Sequence, residues 1–220
     1  MIFLGKHNDA RCETAARLFR EAFPEADVLL WRRGETFPDR LRQWGGGVLV
    51  SYLTHWIVPA DILARATVAV NFHPAPPEYP GTGCVNFALY DGASAYGVTC
   101  HHMHAVVDSG PIIEVRRFSV HADDTVATLL DRSYYELLRL FEDVLPALAG
   151  QQPMPVSTER WTRAPFQRYE LDDLARIEAT MGADEVARRV RATTFGAWRP
   201  FINVGGHRFE YVGPSERHES

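Results

Sequence analysis

Asn71 and His73 stand two apart at the end of an apolar run, Val68-Ala69-Val70-Asn71-Phe72-His73-Pro74. On a strand, residues two apart project to the same side. A side-chain amide beside an imidazole suits a reaction that develops an oxyanion. The amide donates to the oxygen and the imidazole moves a proton. The alternative is that Asn71 caps the following loop and His73 is a hydrogen-bonded strand-end histidine. A second polar cluster is Val106-Val107-Asp108-Ser109-Gly110-Pro111. If that loop lies beside His73, the Asp108 carboxylate could orient the imidazole and support its cation. It could equally form an Asx-turn, binding its own backbone.

Two further stretches invite chemistry. In His101-His102-Met103-His104, strand alternation puts His102 and His104 on one side and His101 on the other. Two histidines and Asp108 could begin a metal site, as in a metal-dependent hydrolase. No cysteine or second carboxylate stands at ligand spacing, and HExxH is absent. The expectation is no metal, with these histidines solvent-facing or hydrogen-bonded. Gly5-Lys6-His7-Asn8-Asp9 joins the first strand to the first helix. It lacks GxGxxG, which argues against a nicotinamide dinucleotide. Lys6 and helix N-terminal amides could hold an anion, or the loop is exposed and capped by Asn8 or Asp9.

These side chains need a frame. Residues 2–4, 28–31, 47–53 and 68–72 read as strands. The stretch 47–53 is apolar on both faces, as in a central strand covered on both sides. Residues 9–23 carry Cys12, Ala15, Ala16, Phe19 and Phe23 at helical spacing. Pro59 opens a short helix through 65. Strands and helices alternate, which predicts an α/β fold with a mostly parallel sheet and helices on both faces. Residues 74–83 form a Pro- and Gly-rich loop, and 85–90 a short helix. Residues 97–104 and 111–115 are two more strands. A long helix covers 123–149, with Asp124 or Thr125 as its cap. Residues 151–166 contain three prolines and little periodicity, the texture of a linker or surface crossover. Residues 171–181 and 183–191 read as helices, the second with Asp184 as a possible N-cap. Residues 201–211 read as a hairpin turning at Gly205-Gly206, and the polar tail beyond as frayed.

The chain has 220 residues, enough for one large α/β domain. Its net charge of −5 argues against a dedicated nucleic-acid binder, which would show a basic face. Three cysteines without a CxxC pair fit a reducing cytoplasm rather than a disulfide framework. The start enters a strand directly, with no expected signal peptide, and the uncharged stretch 43–60 holds glycines, a histidine and a proline, so no membrane span is expected.

Four motifs occur in order: Ser51-Tyr52, Asn71-Phe72-His73-Pro74, Gly97-Val98-Thr99-Cys100-His101 and Asp108-Ser109-Gly110-Pro111-Ile112-Ile113. Together they resemble the formyltransferases that use N10-formyltetrahydrofolate. The resemblance implies a Rossmann-like catalytic core over residues 1–150 and an extension of short helices and hairpin over 151–220. It implies Asn71, His73 and Asp108 as the catalytic set, with a folate co-substrate and no metal. Folate contacts fall on Tyr52, Leu53, His104, Ala105, Val106 and Asp108. The loop Pro74-Ala75-Pro76-Pro77-Glu78-Tyr79-Pro80-Gly81 and the following Gly83-Cys84-Val85-Asn86-Phe87-Ala88 look like the sugar N-formyltransferases. These act on nucleotide-linked 3-amino or 4-amino deoxysugars. That branch implies substrate contacts at Lys6, Asn8, Tyr79, Gly81 and Asn86, with Tyr79 alternatively packing beneath its loop. Residues 201–211 resemble the hairpin by which such enzymes form homodimers. With so few residues after the core, the C-terminal barrel of the tRNA enzymes is not expected, and neither is the extra N-terminal domain of formyltetrahydrofolate deformylases. The other acceptors within the same class are an amino acid or glycinamide ribonucleotide.

Overall fold

The structure, a computed structural model, describes residues 1–196 and 198–213. The polar end expected to fray, 214–220, lies outside the described residues. Six strands form one mixed sheet in the order β2-β1-β3-β4-β5-β6. These are β1 (Ile2–Lys6), β2 (Asp27–Trp31), β3 (Gly47–Tyr52), β4 (Ala66–His73), β5 (Ala95–His102) and β6 (Ile112–Ser119). The first four run parallel, and β5 and β6 are antiparallel additions at one side. The expected parallel α/β core is therefore present.

Strand alternation divides the core. Phe3, Val48, Val50, Tyr52, Val70 and Phe72 face helices α1 (Ala10–Ala22) and α4 (Val126–Leu148). Ile2, Leu4, Leu29 and Leu49 face Trp56, Val58 and Ile62, the last on α2 (Ala60–Leu63). A single residue pair such as Phe3 and Leu4 thus serves both layers, which is why β1 and β3 read as apolar on both sides. Asp9 caps α1 through its carboxylate and the Cys12 N–H. Thr125 caps α4 in a reciprocal pair with Thr128. Asp124, the other candidate cap, instead pairs with Arg132 at 2.9 Å and accepts the His121 N–H.

The remaining helices are α3 (Cys84–Asp91), α5 (Arg168–Ala175) and α6 (Ala183–Thr193). Helix α5 ends well short of the expected residue 181. Arg176 turns extended and bridges Phe201, and the Ile177 N–H donates to the Phe201 carbonyl at 2.7 Å. Pairing with the hairpin thus outcompetes another helical turn. Helix α6 is capped by Gly182, not Asp184, so Asp184 and Glu185 occupy its first turn, where the helix dipole favours acids. The hairpin itself, β7 (Phe201–Val204) and β8 (His207–Glu210), turns at Gly205-Gly206. The extension packs on the core. Phe166, Leu171, Leu174 and Ala192 share one apolar cluster with Val85, Phe87, Ala88, Tyr96 and Leu129. Residues 151–166 are more than a surface crossover, since Thr82 and Phe166 exchange backbone bonds with each other's segment across Pro80 and Gly81.

Candidate active site

Strand register builds the centre of the site. Ser51 on β3 pairs with Asn71 on β4, and Asn71 with His101 on β5. Partners in register share a face, so the three side chains form a row across the sheet. The Ser51 hydroxyl donates to Asn71 Oδ1 at 2.7 Å. This orients the amide so that Asn71 Nδ2 lies 3.1 Å from His101 Nε2 and 3.3 Å from Asp108 Oδ1. His101 Nδ1 lies 2.9 Å from the His102 carbonyl, which can only accept. Nδ1 therefore carries the hydrogen, and Nε2 is free to accept from Asn71.

Asp108 joins this row to His73. Its Oδ2 is 3.3 Å from His73 Nδ1, and its Oδ1 is 3.3 Å from His101 Nε2. The Gly81 N–H donates to Oδ2 at 2.8 Å. Asp108 sits at φ 45°, in the left-handed region that Asp tolerates better than most residues. The Asx-turn alternative is not what the carboxylate does: its partners are His73, His101, Asn71 and Gly81. Burial works to raise the Asp108 carboxyl, but the neighbouring His73 and His101 and the Gly81 N–H outweigh it and hold the group at about 2.

His73 is 5% exposed, and burial pushes its imidazole below the usual histidine value, against the pull of Asp108. Nε2 lies 3.1 Å from the Tyr79 carbonyl. Both ring nitrogens thus face oxygens that only accept. Only the imidazolium has hydrogens for both, whereas burial favours the neutral ring. The site presents a base that is neutral at rest and whose cation has partners waiting.

The centre opens into a cavity of about 710 Å³. Asn71, His73, Gly81, Asn86, Leu53, His104, Ala105, Val106 and Asp108 all line it. Four other expected site residues sit elsewhere. Tyr52 is fully buried among Phe3, Phe72 and Phe141, so its side chain belongs to the core. Tyr79 packs its ring against Tyr96 and Phe166, the packing alternative, and gives the site its carbonyl instead. Lys6 is not among the lining residues; its Nζ lies 5.1 Å from the ring of Tyr134, which is, and 3.9 Å from Asp9. Asn8 occupies a left-handed turn before α1. Asn86 lines the cavity but spends its amide on the Ala192 carbonyl at 2.6 Å.

His101 is 2% exposed and hydrogen-bonded within the polar row, the second of the two readings its sequence left open. Its position opposite Asn71 follows from register, which no single strand reveals. Trp161, whose ring meets that of His101 with centroids 5.0 Å apart, gave no signal beyond its residue type. Among the described residues, no group of three or more His, Cys, Asp or Glu side chains is arranged to hold a metal ion. Among them too, no helix is long and apolar enough to cross a membrane.

Residues 37–144 match the family model described as formyl transferase. That stretch contains Ser51, Asn71, His73, His101 and Asp108, the whole polar centre. Residues 37–144 belong to the formyl transferase family. A methionyl-tRNA formyltransferase of Myxococcus xanthus is 30% identical to the chain over 193 residues, covering 83% of this chain and 60% of that relative. The chain thus spans about 60% of the length of this curated relative. Among solved structures, a sugar N-formyltransferase from a Shewanella species matches with a TM-score of 0.76 at 14% identity, covering 96% of each chain. An N-formyltransferase from Helicobacter canadensis, in complex with folinic acid and dTDP-3-aminofucose, matches with a TM-score of 0.75 at 14% identity, over 93% of this chain and 84% of the other. At these identities the likeness establishes that the chain shares their fold.

Proposed function

We propose that the chain transfers a formyl group from N10-formyltetrahydrofolate to the amine of a nucleotide-linked amino deoxysugar, with dTDP as the carrier and the 3- or 4-amino group as acceptor. The observation that carries this reading is the Asn71-His73-Asp108 set at the cavity wall, with a buried neutral imidazole backed by an ionised carboxylate. The acceptor amine attacks the formyl carbon, forming a C–N bond and leaving an oxyanion. Asn71 donates to that oxygen, exchanging one of its present bonds to His101 and Asp108. His73 takes the proton from the amine nitrogen, and its cation is held by Asp108 and the Tyr79 carbonyl. The bond to folate N10 then breaks, and the proton passes to that nitrogen. No step in this sequence calls for a metal, because the formyl carbonyl is already activated.

The folate end is assigned to Leu53 and the backbone of 104–108, and the acceptor end to Gly81 and Asn86, since all of these line the cavity. The sugar acceptor is supported by likeness to sugar N-formyltransferases over nearly their whole length. A methionyl-tRNA acceptor is the second reading, favoured by the 30% identity to such an enzyme. The acidic net charge weighs against it. Residues 1–150 are assigned to catalysis and 151–220 to closing the site and to self-association. In the hairpin, Val204, Phe209 and Tyr211 are exposed apolar side chains suited to pairing two copies. Three buried free cysteines suit a reducing compartment, the cytoplasm.

The test is incubation with N10-formyltetrahydrofolate and a panel of acceptors: dTDP-linked 3-amino and 4-amino deoxysugars, glycinamide ribonucleotide, amino acids and methionyl-tRNA. A mass gain of one formyl group on a dTDP-sugar is the expected result. Formylation of another acceptor alone would replace the sugar reading, and no product in any arm would overturn formyl transfer. Sedimentation of Phe209→Glu against the parent chain tests the hairpin, with a shift from dimer to monomer expected.

A further inference from the structure

Trp161 lies in the extension, outside the 37–144 stretch and off the cavity wall. Its ring meets His101 edge to face, centroids 5.0 Å apart at 89°, and meets His73 at 6.0 Å and 67°. Its indole N–H donates to the Gly110 carbonyl at 2.8 Å. Gly110 closes the loop that carries Asp108, pressed so tightly on β5 that a Cβ there would lie 1.8 Å from the His102 carbonyl. One side chain therefore touches both histidines and latches the loop of the carboxylate between them.

The segment that delivers Trp161 is fastened on both sides. Arg117 on β6 binds Glu159 and also Glu78, the latter at 3.0 Å. The Thr162 N–H donates to the Pro77 carbonyl at 3.3 Å, and the Phe166 N–H to the Pro80 carbonyl at 2.9 Å. Residues 159–166 thus run along the 74–83 loop, whose Tyr79 carbonyl and Gly81 N–H hold His73 and Asp108.

We propose that Trp161 is a positioning residue for formyl transfer, holding His73, His101 and the Asp108 loop in register and keeping the histidine pair dry. This rests on the formyl-transfer reading for its kinetic consequences, but not for its effect on His73. The titratable groups facing His73 are Asp108 from the β5–β6 loop and His101 from β5, while the 74–83 loop offers only the Tyr79 carbonyl. Trp161 adds no charge. Its removal admits water, and relief of burial moves the His73 titration up towards the ordinary histidine value.

The experiment compares Trp161→Ala and Trp161→Phe with the parent chain, by histidine NMR titration without substrates and by steady-state formyl transfer. In Trp161→Ala the His73 titration should rise and kcat fall by about tenfold or more, with acceptor KM little changed. Trp161→Phe keeps a ring but loses the bond to Gly110, so it should hold the His73 titration near the parent's and recover part of kcat. If Trp161→Ala does not fold, a kcat loss at unchanged KM in Trp161→Phe carries the proposal. A folded Trp161→Ala with the parent's kcat and His73 titration would overturn it, as would a Trp161→Phe indistinguishable from the parent where Trp161→Ala is unfolded. If the parent chain transfers no formyl group yet His73 still titrates higher in Trp161→Ala, the positioning stands and the reaction reading fails.

Discussion

His73 carries opposed influences, and their balance makes predictions. Burial lowers its titration, while Asp108 and the Tyr79 carbonyl favour the cation. The formyl-transfer rate should therefore rise with pH through an apparent value below the ordinary histidine value of about 6.5, seen in a pH profile of kcat. Stability should follow the same side. The unfolded state takes up protons on His73 before the folded state does, so acidification below about 6.5 costs stability. Asp108 adds to this loss at lower pH, because its contribution is present above 3.8 and vanishes as pH falls towards about 2. Among substitutions, Asp108→Asn is informative because Asn also tolerates the left-handed backbone. It should fold as the parent does, yet lose formyl transfer by about 100-fold or more, since the carboxylate that supports the imidazolium is gone. His73→Asn should behave alike. Asn71→Ala should cost roughly 3 kcal/mol of transition-state stabilisation. Parent-like kcat in any of these folded variants would remove the role assigned to that residue.

The elements do the placing. Ser51, Asn71 and His101 meet because β3, β4 and β5 pair in one register, and a slip of one residue would turn all three to the opposite face. What pins the register is the apolar set between them. Tyr52, Phe72 and Phe141 pack as mutually tilted or perpendicular rings, with Phe141 supplied by α4. Truncating Phe141→Ala in this fully buried position should cost about 3–5 kcal/mol, read from the midpoint of urea unfolding. Gly110→Ala separates stability from placement differently. The added Cβ must push the loop off the His102 carbonyl, and Asp108 moves with it. Formyl transfer should drop more steeply than unfolding free energy, compared on the same purified variant.

At the level of the molecule, the extension completes the site rather than hanging from it. Its Phe166 ring stacks on Phe87 of α3 at 3.7 Å, and Gly81 bridges Phe166 where any side chain would strike that backbone. On α6, Glu185 accepts from the Tyr90 hydroxyl of α3 at 2.8 Å. A chain cut after residue 150 should expose the apolar faces of Val85, Phe87 and Leu129 and lose formyl transfer, with dye binding and activity as the two readouts.

Local pattern was enough to read the alternating strands and helices, the Gly205-Gly206 hairpin and the placing of Asn71 and His73 on one side of their strand, and it narrowed the caps to Asn8 or Asp9 and to Asp124 or Thr125. Each is a matter of residues a few positions apart, where side-chain type, turn geometry and strand alternation act directly. The early end of α5 was not legible, because a distant strand outbid its helical bonds. The place of His101 opposite Asn71 and the arrival of Trp161 beside two histidines were not legible either. They depend on which strands pair, in what register, and on where a proline-rich segment docks. Those choices are made by long-range packing that lies beyond any local window of the chain. The amino-acid order named the groups able to move a proton, and the tertiary structure decided which of them are buried together.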